Sequence, residues 1–176
     1  MTKEEFTTKW NHMLELQRKL DERIIQGNGL TYENILDAEG YRYALLDELG
    51  ELNHELKRNW CWWKKSQKDV NHDRVLEEFV DMLHFVLSWS LADDEYTPHQ
   101  DWRQCSSDAA WNSYGNQPYN AKLNTYQMAD YIANSDWSPI NELIQLMKGI
   151  GLDFNEVYEA YIAKNTENHE RQDRGY

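Results

Sequence analysis

The amino-acid sequence predicts an all-α fold, a helical bundle, from three observations. Apolar residues recur at helical spacing over long stretches, β-branched runs are few, and only three prolines occur in 176 residues. Residues 3–25 place Phe6, Trp10, Met13, Leu14, Leu20 and Ile24 on one face, and Gly27-Asn28-Gly29 closes that helix. A second helix fits 38–58, where Leu45, Leu49, Leu52 and Leu56 form a single stripe. Residues 59–73 read as a loop that opens on the aromatic and basic run WCWWKK, in which Lys64 and Lys65 read as solvated. A third helix fits 74–91.

Residues 92–137 differ in texture, being rich in Asp, Asn, Ser, Gln, Trp and Tyr, with Pro98, Gly115 and Pro118 as breakers. They are expected to form an insertion carrying one short helix near 120–134. Ser138-Pro139 then reads as a helix start, with the serine as cap and the proline at the first helical position. That helix ends at Gly149 to Gly151. Asp153 and Glu156 have the spacing of a capping box for a last helix running to about Arg171. The expectation is one domain over 1–176, with four main helices around the insertion about 92–137.

The charge balance narrows the function. Thirty-one acids against 18 bases leave a net charge of −13, a field that repels polyanions and argues against direct nucleic-acid binding. An anionic substrate must therefore be captured locally, by metal ions or a few placed bases. The segment MTKEEFTTKW lacks the apolar core of a signal peptide, and no apolar run approaches membrane-spanning length. Cys61 and Cys105 have no metal-ligand spacing and read as free thiols. Together these predict a cytoplasmic protein without membrane contact.

Chemistry concentrates in two acidic pairs, Glu48-x-x-Glu51 and Glu78-x-x-Asp81. With about 100° per residue and Leu45 at zero, Glu48 and Glu51 fall near −60° and about −120°, along one border of the leucine stripe. Glu78 and Asp81 occupy the same border of the stripe made by Val75, Phe79, Met82 and Val86. Val80, Leu83 and Leu87 give that helix a second apolar face, so its carboxylates lose hydration. Such crowding calls for a basic partner or a metal ion. Arg74 is the only Lys or Arg on that helix, so hard cations are the expected solution. Carboxylates without thiolate or clustered imidazole select Mg²⁺ or Mn²⁺. ExxE alone is a weak signal, because acidic i, i+3 pairs are common on solvated faces; two pairs bordering two core stripes are more specific. On the same wheel Phe85 faces the acids, with core packing as the competing role for it and for Trp89. His84 points nearer the opposite side.

Three runs, ELGELNHELKRNWCWWKK, EEFVDMLHFVL and the terminal YIAKNTENHERQDRGY, resemble the dimeric all-α dUTPase family, related to the MazG-like nucleoside triphosphate pyrophosphohydrolases. The resemblance covers 10–91 and 139–176 and skips the insertion. It implies hydrolysis of dUTP, with dUDP as a second substrate, to dUMP and pyrophosphate, which limits uracil in DNA. It implies Mg²⁺ ligation by Glu48, Glu51, Glu78 and Asp81, with Glu48 or Glu51 as base for a water attacking the β-phosphorus. For the base it points to Gln17, Asp21, Trp60, Trp63, His84 and Phe85, with Trp62 as a third aromatic of that loop. Phosphate contacts fall to Lys164, Asn168, Arg171 and Tyr176; on their own these read more readily as a solvated helix end. A homodimer is implied, as is contact with a regulatory protein, since some phage members bind repressors. Two readings compete: a related pyrophosphohydrolase for another nucleotide such as dCTP, and an interaction protein using the insertion.

Overall fold

The computed structural model describes residues 1–37, 39–96, 102–115 and 125–175; Pro98, Pro118 and Tyr176 lie outside them. These residues form helices and no strand, in the order α1 (Lys3–Asn28), α2 (Tyr32–Asp37), α3 (Gly40–Glu55), α4 (Lys57–Trp60), α5 (His72–Tyr96), α6 (Trp102–Gly115), α7 (Thr125–Asn134), α8 (Ile140–Gly149) and α9 (Phe154–Asp173). The all-α expectation holds.

Local chemistry sets several helix ends. At α1, Thr2 Oγ1 accepts from the Glu5 amide and the Glu5 carboxylate accepts from the Thr2 amide, which satisfies two otherwise orphaned donors. Gly29, at φ 65°, closes α1 in the left-handed region where a Cβ would be strained. Asp153 and Glu156 build the capping box read from their spacing. Ser138 is a correction. Its hydroxyl donates to the Val86 carbonyl, Pro139 takes the cap position, and no side chain caps α8. The hydroxyl is turned toward a tertiary acceptor on α5, so its oxygen does not accept from the first amides of α8.

The core forms around α5. This helix packs most extensively on α3 and also contacts α1, α2, α8 and α9, so Phe79, Val80, Met82, Leu83, Val86 and Leu87 are all sealed from water. Near the α1 N-terminus, Phe6 stacks on Phe154 with centroids 4.2 Å apart, joined by Trp111 and Tyr114 of α6. The insertion is more helical than its composition suggests. The inward face of α6 is small and polar, with Ser106, Ser107 and Ala110 buried, so it leaves little apolar periodicity to read. Trp10 Nε1 donates to Ser106 Oγ at 3.1 Å and so ties α6 to α1.

Candidate active site

The acidic pairs meet where α3 crosses α5. Carboxylate oxygens of Glu48, Glu78 and Asp81 lie within 4.8 Å of one another. Glu51, exposed at the outer edge, faces Glu78 at hydrogen-bonding range. Glu78 is 3 % exposed, and taking such a carboxylate out of water favours its neutral form. Burial raises its pKa, Arg74 opposes that rise, and Glu51 adds to it. Burial likewise raises Asp81, against the pull of Lys164. Glu48 is pushed up to about 7, first by burial and then by Asp81, Glu51 and Glu78.

The expectation that hard cations alone would relieve this crowding needs correction. Arg74 ion-pairs with Glu78, and Lys164, reaching over from α9, holds Asp81 through Nζ at 2.8 Å. Periodicity on α5 could not reveal Lys164, which is distant in sequence. Glu48 makes no ion pair among the described residues, so the crowding is relieved only in part. The donor set is carboxylate oxygen throughout, the chemistry that suits a hard divalent ion.

Beside the acids opens a cleft of about 290 Å³, lined on one side by Gln17, Asp21, His84 and Phe85 and reaching Glu48 and Asp81. Its floor is a hydrogen-bonded network. Gln17 Nε2 donates to Asp21 Oδ1 at 2.8 Å and to Ser88 Oγ at 2.9 Å, and Ser88 Oγ donates to Asp21 Oδ1 at 2.8 Å. The Tyr161 hydroxyl lies 2.8 Å from Gln17 Oε1 and 3.1 Å from the Met13 carbonyl, both acceptors for its single proton. Both N–H bonds of Gln17 are thus spent on holding Asp21 and Ser88.

Among the described residues, two buried acceptors of this cleft remain unused. Asp21 Oδ2 has no hydrogen-bond partner among the described residues, and burial pushes that carboxyl to about 7 despite the bonds from Gln17 and Ser88. His84 Nδ1 lies 2.9 Å from the Val80 carbonyl, which can only accept, so Nδ1 carries the hydrogen and Nε2 presents a lone pair. Nε2 is also without a partner, and burial depresses the imidazole to about 4, leaving it neutral. Its ring stacks on Tyr161 at 4.4 Å. A buried acceptor left empty is costly, so this cleft asks for a ligand that donates.

Most residues singled out from sequence come together here. Glu48, Asp81, Gln17, Asp21, His84, Phe85, Asn168 and Arg171 share the cleft, Glu51 and Glu78 adjoin it, and Lys164 touches Asp81. The helical wheel misplaced His84, because the site wraps around α5: Glu78 faces α3, whereas His84 faces α9. Trp60 and Trp63 stand apart, 40 % and 57 % exposed with centroids 5.7 Å apart, and Trp60 Nε1 bonds the Asn53 carbonyl. Trp89 is buried beneath the Arg42 guanidinium and packs in the core. Ser88, Tyr161 and Arg74 were not picked out as site residues. Ser88 follows His84 by one turn, a spacing that could have flagged it.

An all-helical bundle with clustered carboxylates at the mouth of a nucleoside-sized cleft has the layout of a divalent-metal nucleotide hydrolase. The family model described as dUTPase matches residues 9–176, and the chain belongs to the dUTPase family. Its activity is that of a dUTP diphosphatase. No curated protein matches the chain. Among the described residues no helix is long and apolar enough to cross a membrane.

Proposed function

We propose that the chain cleaves dUTP to dUMP and pyrophosphate with Mg²⁺ held by Glu48, Glu51, Glu78 and Asp81, as one helical domain. The convergence of Glu48, Glu78 and Asp81 within 4.8 Å carries this reading. Bound there, Mg²⁺ supplies charge neutralisation, a more acidic water and a template for in-line displacement. Of the first pair we assign Glu48 as proton acceptor, since its surroundings raise its proton affinity toward neutrality. Lys164 and Arg171 stand beside Asp81 as phosphate contacts, with Asn168 and Tyr176 completing the set that the resemblance implies.

The nucleoside end fits the two empty acceptors. With its 5′-oxygen esterified, the nucleoside part of dUTP has two donors, the imide N3–H and the 3′-hydroxyl. Asp21, the charged and stronger acceptor, takes the more acidic imide, and neutral His84 Nε2 takes the other. Phe85 offers a stacking face. Cytosine carries a lone pair at N3, which an ionised Asp21 repels, so a dCTP enzyme is disfavoured. The test is product analysis with dUTP and dCTP, with Mg²⁺ and with chelator. Mg²⁺-dependent release of dUMP and pyrophosphate is expected; dCTP turning over faster than dUTP overturns the uracil assignment.

For quaternary structure we propose a homodimer. Tyr43 and Leu46 on α3 and Tyr126 on α7 are 70 %, 40 % and 74 % exposed on helices that pack together, an apolar area suited to a second copy. Sedimentation at micromolar concentration is expected to give twice the chain mass; a pure monomer removes the claim. A regulatory protein contact through the insertion remains part of the proposal from resemblance alone.

A further inference from the structure

The openings around the acids form a row. The nucleoside cleft meets the acids at Glu48 and Asp81. A second opening of about 410 Å³ continues from Glu51 and Glu78 to His54 and Arg74. A third, of about 540 Å³, takes over at His54, Glu55 and Arg74 and extends into the segment after α3. The third opening therefore connects to the acids through Arg74 and shares no lining residue with the nucleoside cleft.

Its charge is opposite to that of the chain. Five bases, Lys57, Arg58, Lys64, Lys68 and Arg74, line it against two acids, Glu55 and Asp69, in a protein of net charge −13. Arg58 is paired with Asp69 at 2.6 Å, and Arg74 with Glu55, Glu77 and Glu78. Lys57, Lys64 and Lys68 form no ion pair among the described residues. Three ammonium groups gathered in one concavity, in a chain with acids to spare, fit a compact polyanion. His54 and the amides of Gln67 and Asn71 add polar lining.

We infer that this basic opening is a diphosphate site, which holds the β- and γ-phosphates of the substrate and then inorganic pyrophosphate before release. The inference rests on the active-site reading above and adds a direction to it: base in the nucleoside cleft, α–β linkage at the acids, terminal phosphates beyond Arg74. In the reaction the water oxygen joins the β-phosphorus, the bond from that phosphorus to the bridging oxygen breaks, and the bridging oxygen leaves with dUMP. Pyrophosphate then departs on the basic side, away from the nucleoside. Arg74 stands at the boundary, where its planar fork can serve a phosphate oxygen once a cation relieves Glu78 of the need for it. Lys64, which reads from sequence as a solvated loop residue, becomes a phosphate contact together with Lys57 and Lys68.

The test is calorimetric titration of the full chain, without nucleotide, with inorganic pyrophosphate and separately with dUMP. It compares wild type, Lys64→Ala/Lys68→Ala and the charge-keeping Lys64→Arg/Lys68→Arg. Pyrophosphate affinity is expected to fall about tenfold or more in the alanine variant and to survive in the arginine variant, with dUMP affinity within twofold throughout. Unchanged pyrophosphate affinity in the alanine variant, or no pyrophosphate binding by wild type, overturns the inference. Parallel dUTP hydrolysis separates the two levels. Normal Mg²⁺-dependent turnover with unchanged pyrophosphate affinity sinks the diphosphate site alone, whereas absence of hydrolysis sinks the active-site reading beneath it.

Discussion

Glu48→Gln is expected to reduce dUTP turnover by about 10³-fold or more and, at the same time, to raise the melting temperature of the metal-free protein. Both effects have one origin. Glu48 sits within 4.8 Å of Glu78 and Asp81 and, unlike them, has no basic partner among the described residues. Its negative charge is therefore the least compensated of the three and the most dependent on a divalent ion. A metal ion contributes several kcal/mol of transition-state stabilisation, and each ~1.4 kcal/mol lost costs about tenfold in rate, which sets the expected loss. In the metal-free protein the same substitution removes like-charge repulsion without opening a cavity, because Gln is nearly isosteric with Glu. Thermal unfolding with and without Mg²⁺ checks the pair of effects. Wild type should gain stability with saturating Mg²⁺, by roughly 2–3 kcal/mol at a hundredfold excess over Kd, while the variant starts higher and gains little. A Glu48→Gln protein that is less stable without metal and still responds fully to Mg²⁺ would remove Glu48 from the site.

The preference for dUTP over dCTP is expected to fall about tenfold or more between pH 8 and pH 6. Asp21 is pushed by burial to about 7, so its Oδ2 passes from acceptor to donor across this window. The ionised form matches the imide hydrogen of uracil, whereas the protonated form matches the N3 lone pair of cytosine. A site built around one hydrogen-bond polarity discriminates by several orders of magnitude, so reversing that polarity is a large effect. The ratio of kcat/KM for the two nucleotides is the right observable, because ionisation of the metal-binding acids affects both substrates alike. Asp21→Asn should abolish the pH dependence of the ratio. Stability follows the same titration. A carboxyl whose pKa rises from 3.8 to about 7 on folding binds more protons in the native state, so stability falls as pH climbs between those values and levels off above. Asp21→Asn should flatten that decline in an unfolding series. A ratio constant from pH 6 to pH 8 in wild type would assign uracil recognition elsewhere.

Much of the fold was legible because helices obey a short-range rule. The leucine stripe of α3, the doubly apolar α5, the Asp153–Glu156 capping box and the alignment of both acidic pairs with the borders of core stripes all follow from the turn of a helix. They are present in the structure as read. Where the rule had nothing to act on, the reading thinned. α6 buries serines and an alanine, which leave no apolar period. Ser138 has a cap's sequence context, yet its hydroxyl finds the Val86 carbonyl 52 residues away. The site was legible in its residue types and less so in its pairings, as with Lys164 on Asp81 across 83 residues.

The sequence by itself determined the main helices outside the insertion, which carboxylates share a face, and, through its three runs, the resemblance to the dUTPase family. Each of these depends on residues within a few turns of one another. Only the tertiary structure decided which cation meets which acid, that His84 joins the cleft from the far side of α5, and that Asp21 Oδ2 and His84 Nε2 stay without partners among the described residues. Those outcomes depend on packing among α1, α3, α5 and α9, where burial sets the strength of every charge and no local spacing encodes the distance between helices.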